Sequence, residues 1–412
     1  MYINKIFKNI SILMTGTIIA QVIPILLSPI LTRLYSPSEF GMLAVFLSIT
    51  SILAVFANLR LDVAIMSASD QEKLILKKIS IFITMILTII VFLVLIIFSS
   101  FFKEVFSGIN YHLIIIFTPL FFILFGIMQL ATYIANDNGQ YSLISKSKVD
   151  KNLSMTFIQI IFGFFKVGIT GLILGTVFSM LFPIYRLRKG VLGNKEETKS
   201  DGYYLTLKKY KKYPLISTST AAMDKIATEA PVIIMNKFLD SNLVGFYELS
   251  KRTVLLPLTF ISYSVSQVYL KQITGESDYK KNLKLTIVIL MGLISISAVI
   301  IPIFLLWGES IFAVVFGEEW RIVGEYTKIL IFPFLIRFIV SPLSVVFLKP
   351  ENLFLGGVWQ FLYVFVSIGV ALVYLPKGMI FYLKVFAISE ILIYLLYLVL
   401  IFIALNKTKK GV

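Results

Sequence analysis

Eleven ionisable side chains lie inside the long apolar runs of this 412-residue chain: Arg60, Asp62, Asp224, Lys225, Glu229, Glu248, Lys251, Arg252, Arg337, Lys384 and Glu390. Leaving one charge exposed to lipid at mid-membrane costs roughly 3 kcal/mol on a lenient insertion scale. All eleven would then cost on the order of 30 kcal/mol, more than the ~5–15 kcal/mol that holds a typical protein folded. They must pair with one another or face water, and a wet internal cavity satisfies both conditions. Six are cations and five are carboxylates, so the chemistry open to them is electrostatic. Cations at depth attract an anionic, hydrated ligand, and buried carboxylates can carry a proton or hold a sodium ion. Glu248, Lys251 and Arg252 stand at i, i+3 and i+4 and share a helix face. Arg60 and Asp62 lie two apart near an inner end, where snorkelling to the interface is an alternative. Structural ion pairs that pin helices together are the plainer reading for any one of these residues.

Other chemistries lack their residues. Without cysteine there is no disulfide, thiolate nucleophile or cysteine metal site. The single histidine, His112, sits at a loop edge. No glycine-rich phosphate loop and no helical His-Glu-x-x-His is present. The expectation is a protein with no catalytic residues, no metal and no cofactor, driven by an ion gradient.

The elements that must position these charges are membrane helices. The chain is 58% hydrophobic with a mean hydropathy of +0.91, too apolar to cover a soluble surface. About twenty residues of helix cross a hydrocarbon core, and the apolar runs predict twelve spans: 9–31, 41–66, 79–101, 113–135, 152–169, 170–187, 213–236, 244–270, 284–307, 325–348, 353–375 and 379–405. The net charge of +16 follows the loops rather than one patch, which points away from nucleic acid. Lys5, Lys8, Lys73, Lys77, Lys78, Lys146, Lys148, Lys151, the cations from Arg186 to Lys212, Lys271, Lys280, Lys281, Lys284, Lys349, Lys407, Lys409 and Lys410 fall on alternate loops. Opposite them stand Arg33, Lys103, Lys237, Arg321 and Lys377. That asymmetry places both termini in the cytoplasm and the first run as a signal-anchor helix. Trp307, Trp320 and Trp359 read as interfacial anchors. Prolines inside most spans suit helices that bend during a transport cycle.

The most polar stretch lies mid-chain, so the expected organisation is an N-terminal six-helix lobe (1–188), a basic cytoplasmic linker (189–212) and a C-terminal six-helix lobe (213–412). An even number of spans per half makes any repeat parallel. A trace of one appears at an offset of 204: Leu31-Thr32-Arg33-Leu34 against Met235-Asn236-Lys237-Phe238, Ser36 against Asp240, and Gly41 against Gly245. Ser36-Pro37-Ser38-Glu39 has the residues of a capping box that starts a helix.

Five segments carry a resemblance: residues 30–41 (ILTRLYSPSEFG), 59–65 (LRLDVAI), 210–214 (YKKYP), 316–320 (FGEEW) and 337–343 (RFIVSPL). Spread over both halves in order, they resemble the Wzx-type polysaccharide flippases of the multidrug/oligosaccharidyl-lipid/polysaccharide exporter superfamily. The resemblance implies an all-α polytopic fold of two six-helix lobes around a central cavity, working by alternating access. The implied cargo is an undecaprenyl-pyrophosphate-linked O-antigen or capsule repeat unit, moved from the cytoplasmic to the periplasmic leaflet of the bacterial inner membrane. Arg60, Lys251, Arg252 and Arg337 would meet the head group, and Asp62, Asp224 and Glu229 are candidates for coupling to a proton or sodium gradient. The segments that carry the resemblance include Arg60, Asp62 and Arg337, whereas Lys251 and Arg252 rest on their placement in the eighth span. Partners would be membrane lipids, a glycan polymerase and a chain-length regulator. The competing readings are a multidrug exporter of the same superfamily, for which a cationic cargo would favour more acid than base, and a non-transporting scaffold of a glycan-assembly complex. A lipid II flippase is disfavoured because that branch is expected to have fourteen spans.

Overall fold

A computed structural model describes residues 2–105, 110–192, 202–275, 279–348 and 352–407, and among them every regular element is helical. Lys195 and Lys199 of the linker, with Lys349, Lys409 and Lys410, lie outside the described residues. Ten segments are long and apolar enough to cross a bilayer by length and composition, so this is a multi-pass membrane protein. Two further long helices, Tyr141–Phe164 and Thr218–Phe238, answer to the expected fifth and seventh spans. Their polar content, Lys148, Asp150, Lys151 and Asn152 in one and Asp224, Lys225 and Glu229 in the other, keeps them out of the ten.

The chain divides into two compact units, Met1–Lys237 and Phe238–Val412. The first holds α1 (Tyr2–Leu34), α2 (Pro37–Ala54), α3 (Leu61–Ala64), α4 (Asp70–Ile97), α5 (Ser99–Val105), α6 (Tyr111–Asp137), α7 (Tyr141–Phe164), α8 (Ile169–Phe178), α9 (Leu181–Leu192), α10 (Gly202–Tyr210) and nearly all of α11 (Thr218–Phe238). Helix α11, counted from the sequence with the second half, falls within the first unit as far as Lys237. Helix α1 runs along α7, close enough that a Cβ on Gly16 would stand 2.3 Å from Ser145 Cβ. Small residues permit such approaches between membrane helices.

Helix α2 begins as its sequence dictates. Ser36 caps it, its backbone N–H donating to Glu39 Oε2 at 2.7 Å while Glu39 N–H donates to Ser36 Oγ at 3.4 Å, and Pro37 occupies the first turn. The position at offset 204 repeats the device: Asp240 is the N-cap of α12 and accepts from Asn242 N–H at 2.7 Å.

The second span differs from a single helix over 41–66. Helix α2 stops at Ala54, and the chain turns through Val55–Arg60 with Leu59 (φ 46°) and Arg60 (φ 59°) in the left-handed region. No glycine or proline marks this break. Asn58 holds it instead: its side-chain amide donates to Gly126 O at 3.0 Å, and its carbonyl lies 2.9 Å from Thr84 Oγ1. The buried Asn58 thus replaces helical bonds with tertiary ones. The helix that answers to the expected fifth span runs over Tyr141–Phe164 rather than 152–169. It ends in a turn with Lys166 (φ 52°) and Gly168 (φ 71°) before α8. Lys146, Lys148 and Lys151, assigned above to a loop, are consequently on a helix.

The second unit holds α12 (Ser241–Ser250), α13 (Leu256–Gly275), α14 (Tyr279–Phe316), α15 (Arg321–Val340), α16 (Leu353–Tyr374) and α17 (Met379–Lys407). A π-helical turn over Lys251–Leu255 separates α12 from α13, while Lys251 N–H still bonds Tyr247 O in α register and Lys251 Nζ lies 3.5 Å from Glu248. Helices α14 and α15 meet at glycines: a Cβ on Gly324 would sit 2.4 Å from Glu309 Cα. Of the tryptophans read as interfacial anchors, Trp307 is 56% exposed, but Trp320 and Trp359 are buried. Trp359 stacks on Tyr397 with ring centroids 3.8 Å apart and donates from Nε1 to Ile393 O at 3.0 Å. Burial with a satisfied indole is the alternative to an interfacial position.

Candidate functional site

Within the first unit α1, α6, α7 and the Arg60 turn surround a cavity of about 630 Å³. Its polar wall comes from Thr17 and Gln21 of α1, Gln129, Thr132 and Tyr133 of α6, Ser147, Lys148, Lys151 and Asn152 of α7, and Arg60. Among the described residues three cations line it and no carboxylate does. Lys148 Nζ donates to Thr17 Oγ1 at 2.9 Å. The spacing places these groups: Lys148, Lys151 and Asn152 stand at i, i+3 and i+4 on one face of α7, and Gln129, Thr132 and Tyr133 do the same on α6.

Arg60 reaches this wall because its left-handed backbone turns the chain sharply at the N-cap of α3. Its guanidinium hydrogen-bonds Tyr133, yet Nε is buried without a partner among the described residues. An unsatisfied buried donor costs about 1–3 kcal/mol. Asp62, two residues on, is fully buried. It accepts from Gln129 Nε2 at 2.6 Å and from Val63 N–H at 3.0 Å, and Arg60 is its counter-charge. The structure therefore makes Asp62 a buried, hydrogen-bonded group rather than a snorkelling one. Gln129 joins the two: it touches Asp62 and also lines the cavity.

The other expected residues fall into separate clusters. On α11, Glu229 accepts from Ser48 Oγ at 3.0 Å and lies 3.7 Å from Lys225 Nζ, whereas Asp224 is exposed. In the second unit Lys251 Nζ lies 3.5 Å from Glu248, and Arg252 is half-buried on the π turn. Arg337 lines a smaller cavity of about 240 Å³ with Thr259, Ser262, Tyr263, Ser266 and Ser341. It also acts as counter-charge to the buried Glu390, which Tyr363 hydrogen-bonds. Lys384 is exposed. No group of three or more His, Cys, Asp or Glu able to hold a metal ion occurs among the described residues.

Lys148, Lys151 and Gln129 are site residues that sequence reasoning misses. A hydropathy window ends at the first cluster of charge and so assigns the two lysines to a loop, although their i, i+3 spacing is visible in the sequence.

A family model described as "Polysaccharide biosynthesis protein" matches residues 30–324. No curated protein matches the chain. Among solved structures, an inward-facing multidrug resistance MATE family transporter of the MOP superfamily aligns with a TM-score of 0.68 at 12% identity, covering 98% of both chains. Lipid II flippase MurJ, in an inward closed conformation, aligns at 0.70 and 14% identity over 95% of this chain and 86% of that one. A MOP superfamily transporter from Pyrococcus furiosus, described as having a binding pocket of reverse polarity, aligns at 0.66 and 11% identity over 98% and 96%. Likeness at such identities is a likeness of fold, and the fold is that of MOP superfamily transporters. With the family match spanning most of its length, the chain belongs to the polysaccharide biosynthesis protein family.

Proposed function

We propose that this protein is a flippase for an anionic lipid-linked glycan, an undecaprenyl-pyrophosphate-linked repeat unit of the O-antigen or capsule type. It moves its cargo across the bacterial inner membrane by alternating access, with both termini cytoplasmic. The observation that carries the reading is the cavity of the first unit, walled by Arg60, Lys148 and Lys151 without a carboxylate among the described lining residues. A diphosphate brings two or more negative charges and several acceptor oxygens, matched by three cations and the amides of Gln21, Gln129 and Asn152. A cationic drug would meet like charge there. Lys251, Arg252 and Arg337 serve as further head-group contacts. Asp62, Asp224 and Glu229 are the coupling carboxylates for a proton or sodium gradient. A glycan polymerase and a chain-length regulator would receive the product.

The test is glycan display in a strain lacking the gene, complemented by wild type or by Arg60→Ala, Lys151→Gln or Arg337→Ala at matched membrane levels. Accumulation of lipid-linked repeat units on the cytoplasmic side, relieved by wild type and not by the cavity variants, is the expected result. Normal display in the deletion strain with altered tolerance to cationic drugs would replace this reading with an exporter. Full display from every charge-removing variant would favour a scaffold.

A further inference from the structure

We propose that the outward face of α10, with the residues that follow it, is a docking surface for anionic phospholipid headgroups. The helix is nine residues long, and its inner face is fixed. Thr206 and Tyr210 are buried, and Tyr210 packs in one cluster with Ile75, Leu76 and Ile79 of α4. Lys209 Nζ lies 2.6 Å from Glu72 Oε1, and the Tyr210 hydroxyl donates to Glu72 Oε2 at 3.1 Å. Its hydrogen bond to Glu72 and the Glu72 charge hold the Lys209 ammonium above its usual pKa, so this lysine is an internal clasp.

The opposite face has no such partner elements among the described residues. Tyr204 is 71% and Leu205 64% exposed, and Leu215 and Ile216 continue the apolar strip. Lys208, Lys211 and Lys212 are exposed among them. Large apolar side chains interleaved with lysines suit the boundary of a bilayer, where aliphatic and aromatic groups enter the acyl region while lysine ammoniums reach phosphate. A purely aqueous face would not carry the apolar strip, and a hydrocarbon face would not carry the lysines. The connections place α10 at that depth: it follows the membrane-spanning segment Ile169–Val191 and precedes the helical turn Tyr213–Ser217 that runs into α11. The cation distribution along the chain assigns this side to the cytoplasm, where leaflet lipids are anionic. The docked lipid would also bear on the candidate site, because Tyr210 of α10 belongs to the same buried cluster as Leu61 and Ile65, the segment that follows Arg60. Tyr213, just beyond α10, stands 3.3 Å from Ser67 through their hydroxyls.

The experiment titrates phosphatidylglycerol or phosphatidylcholine into the purified full-length protein and reads bound lipid by native mass spectrometry. It compares wild type with Lys208→Gln/Lys211→Gln/Lys212→Gln, and with Lys377→Gln on the opposite side as control. A lysine near an anionic surface contributes about fivefold in affinity, so the triple variant should lose at least about tenfold in phosphatidylglycerol affinity. Its phosphatidylcholine binding and its melting temperature in phosphatidylcholine should be unchanged. The wild-type preference should also shrink at high salt. A triple variant that keeps the wild-type preference overturns the proposal, as does an equal loss in Lys377→Gln. Unchanged lipid binding with loss of a cross-linked acidic protein would assign the face to a protein partner instead.

Discussion

The contact between Asp62 and Gln129 is the most exacting test of the geometry around Arg60. Gln129→Leu removes the 2.6 Å donor from a carboxylate that is fully buried. Hydrogen bonds to charged groups contribute about 1.5–3 kcal/mol, and stranding the acceptor adds its desolvation cost, so the variant should lose about 2–3 kcal/mol. Asp62→Leu strands the Gln129 amide and leaves Arg60 without its counter-charge, and should lose at least as much. Replacing both partners removes the bond without leaving either half of it unpaired, so Asp62→Leu/Gln129→Leu should be less destabilised than the sum of the single variants. The expected coupling is about 1.5–3 kcal/mol. Reversible unfolding of the four proteins in mixed micelles, titrated with a denaturing detergent, measures the cycle. Additivity within about 0.5 kcal/mol is what independent sites give, and that result would refute the account of Asp62 as a group held by Gln129.

Gly324→Ala places a methyl group against Glu309 backbone at 2.4 Å. The clash of about 1–3 kcal/mol or more outweighs a helix-propensity gain of up to about 1 kcal/mol, so the melting temperature should fall. Ser36→Ala removes one side of the capping box and should cost about 1 kcal/mol, seen in the same unfolding assay. Lys148→Gln and Lys151→Gln should each reduce glycan export at matched expression, while Lys146→Gln, exposed on the same helix, should leave export unchanged. Equal effects from all three lysines would argue for general charge rather than the cavity.

Much of the fold was legible because the hydrocarbon core imposes one length on every crossing, and because Ser36-Pro37-Ser38-Glu39 has few alternatives to a helix start. The breaks were less visible. The turn at Val55–Arg60 is stabilised by Asn58 bonds to Gly126, whose carbonyl comes from a helix 68 residues away. A local reading, which looks for glycine and proline, registers no signal there. The π turn at Lys251–Leu255 has a mark, Pro257, whose missing N–H removes the bond back to Thr253, but a proline announces a bend and not a π turn.

The candidate site was half legible for a related reason. An acid inside an apolar run, such as Asp62, declares itself by its transfer cost, and its neighbour Arg60 follows. Lys148 and Lys151 stand where apolar sequence gives way to polar, so their cost looks payable by water in a loop. What moves them into the site is the start of α7 at Tyr141, which extends the helix past the charged cluster and turns its polar face toward Arg60 and Gln129. A helix whose own composition falls short of a membrane span is therefore a mark of the site rather than a failed span. Such a helix must hide its polar face from lipid, and in α7 that face forms a wall of the 630 Å³ cavity. By the same logic α11, the other long helix that falls short of the ten, turns Glu229 toward Ser48 of α2.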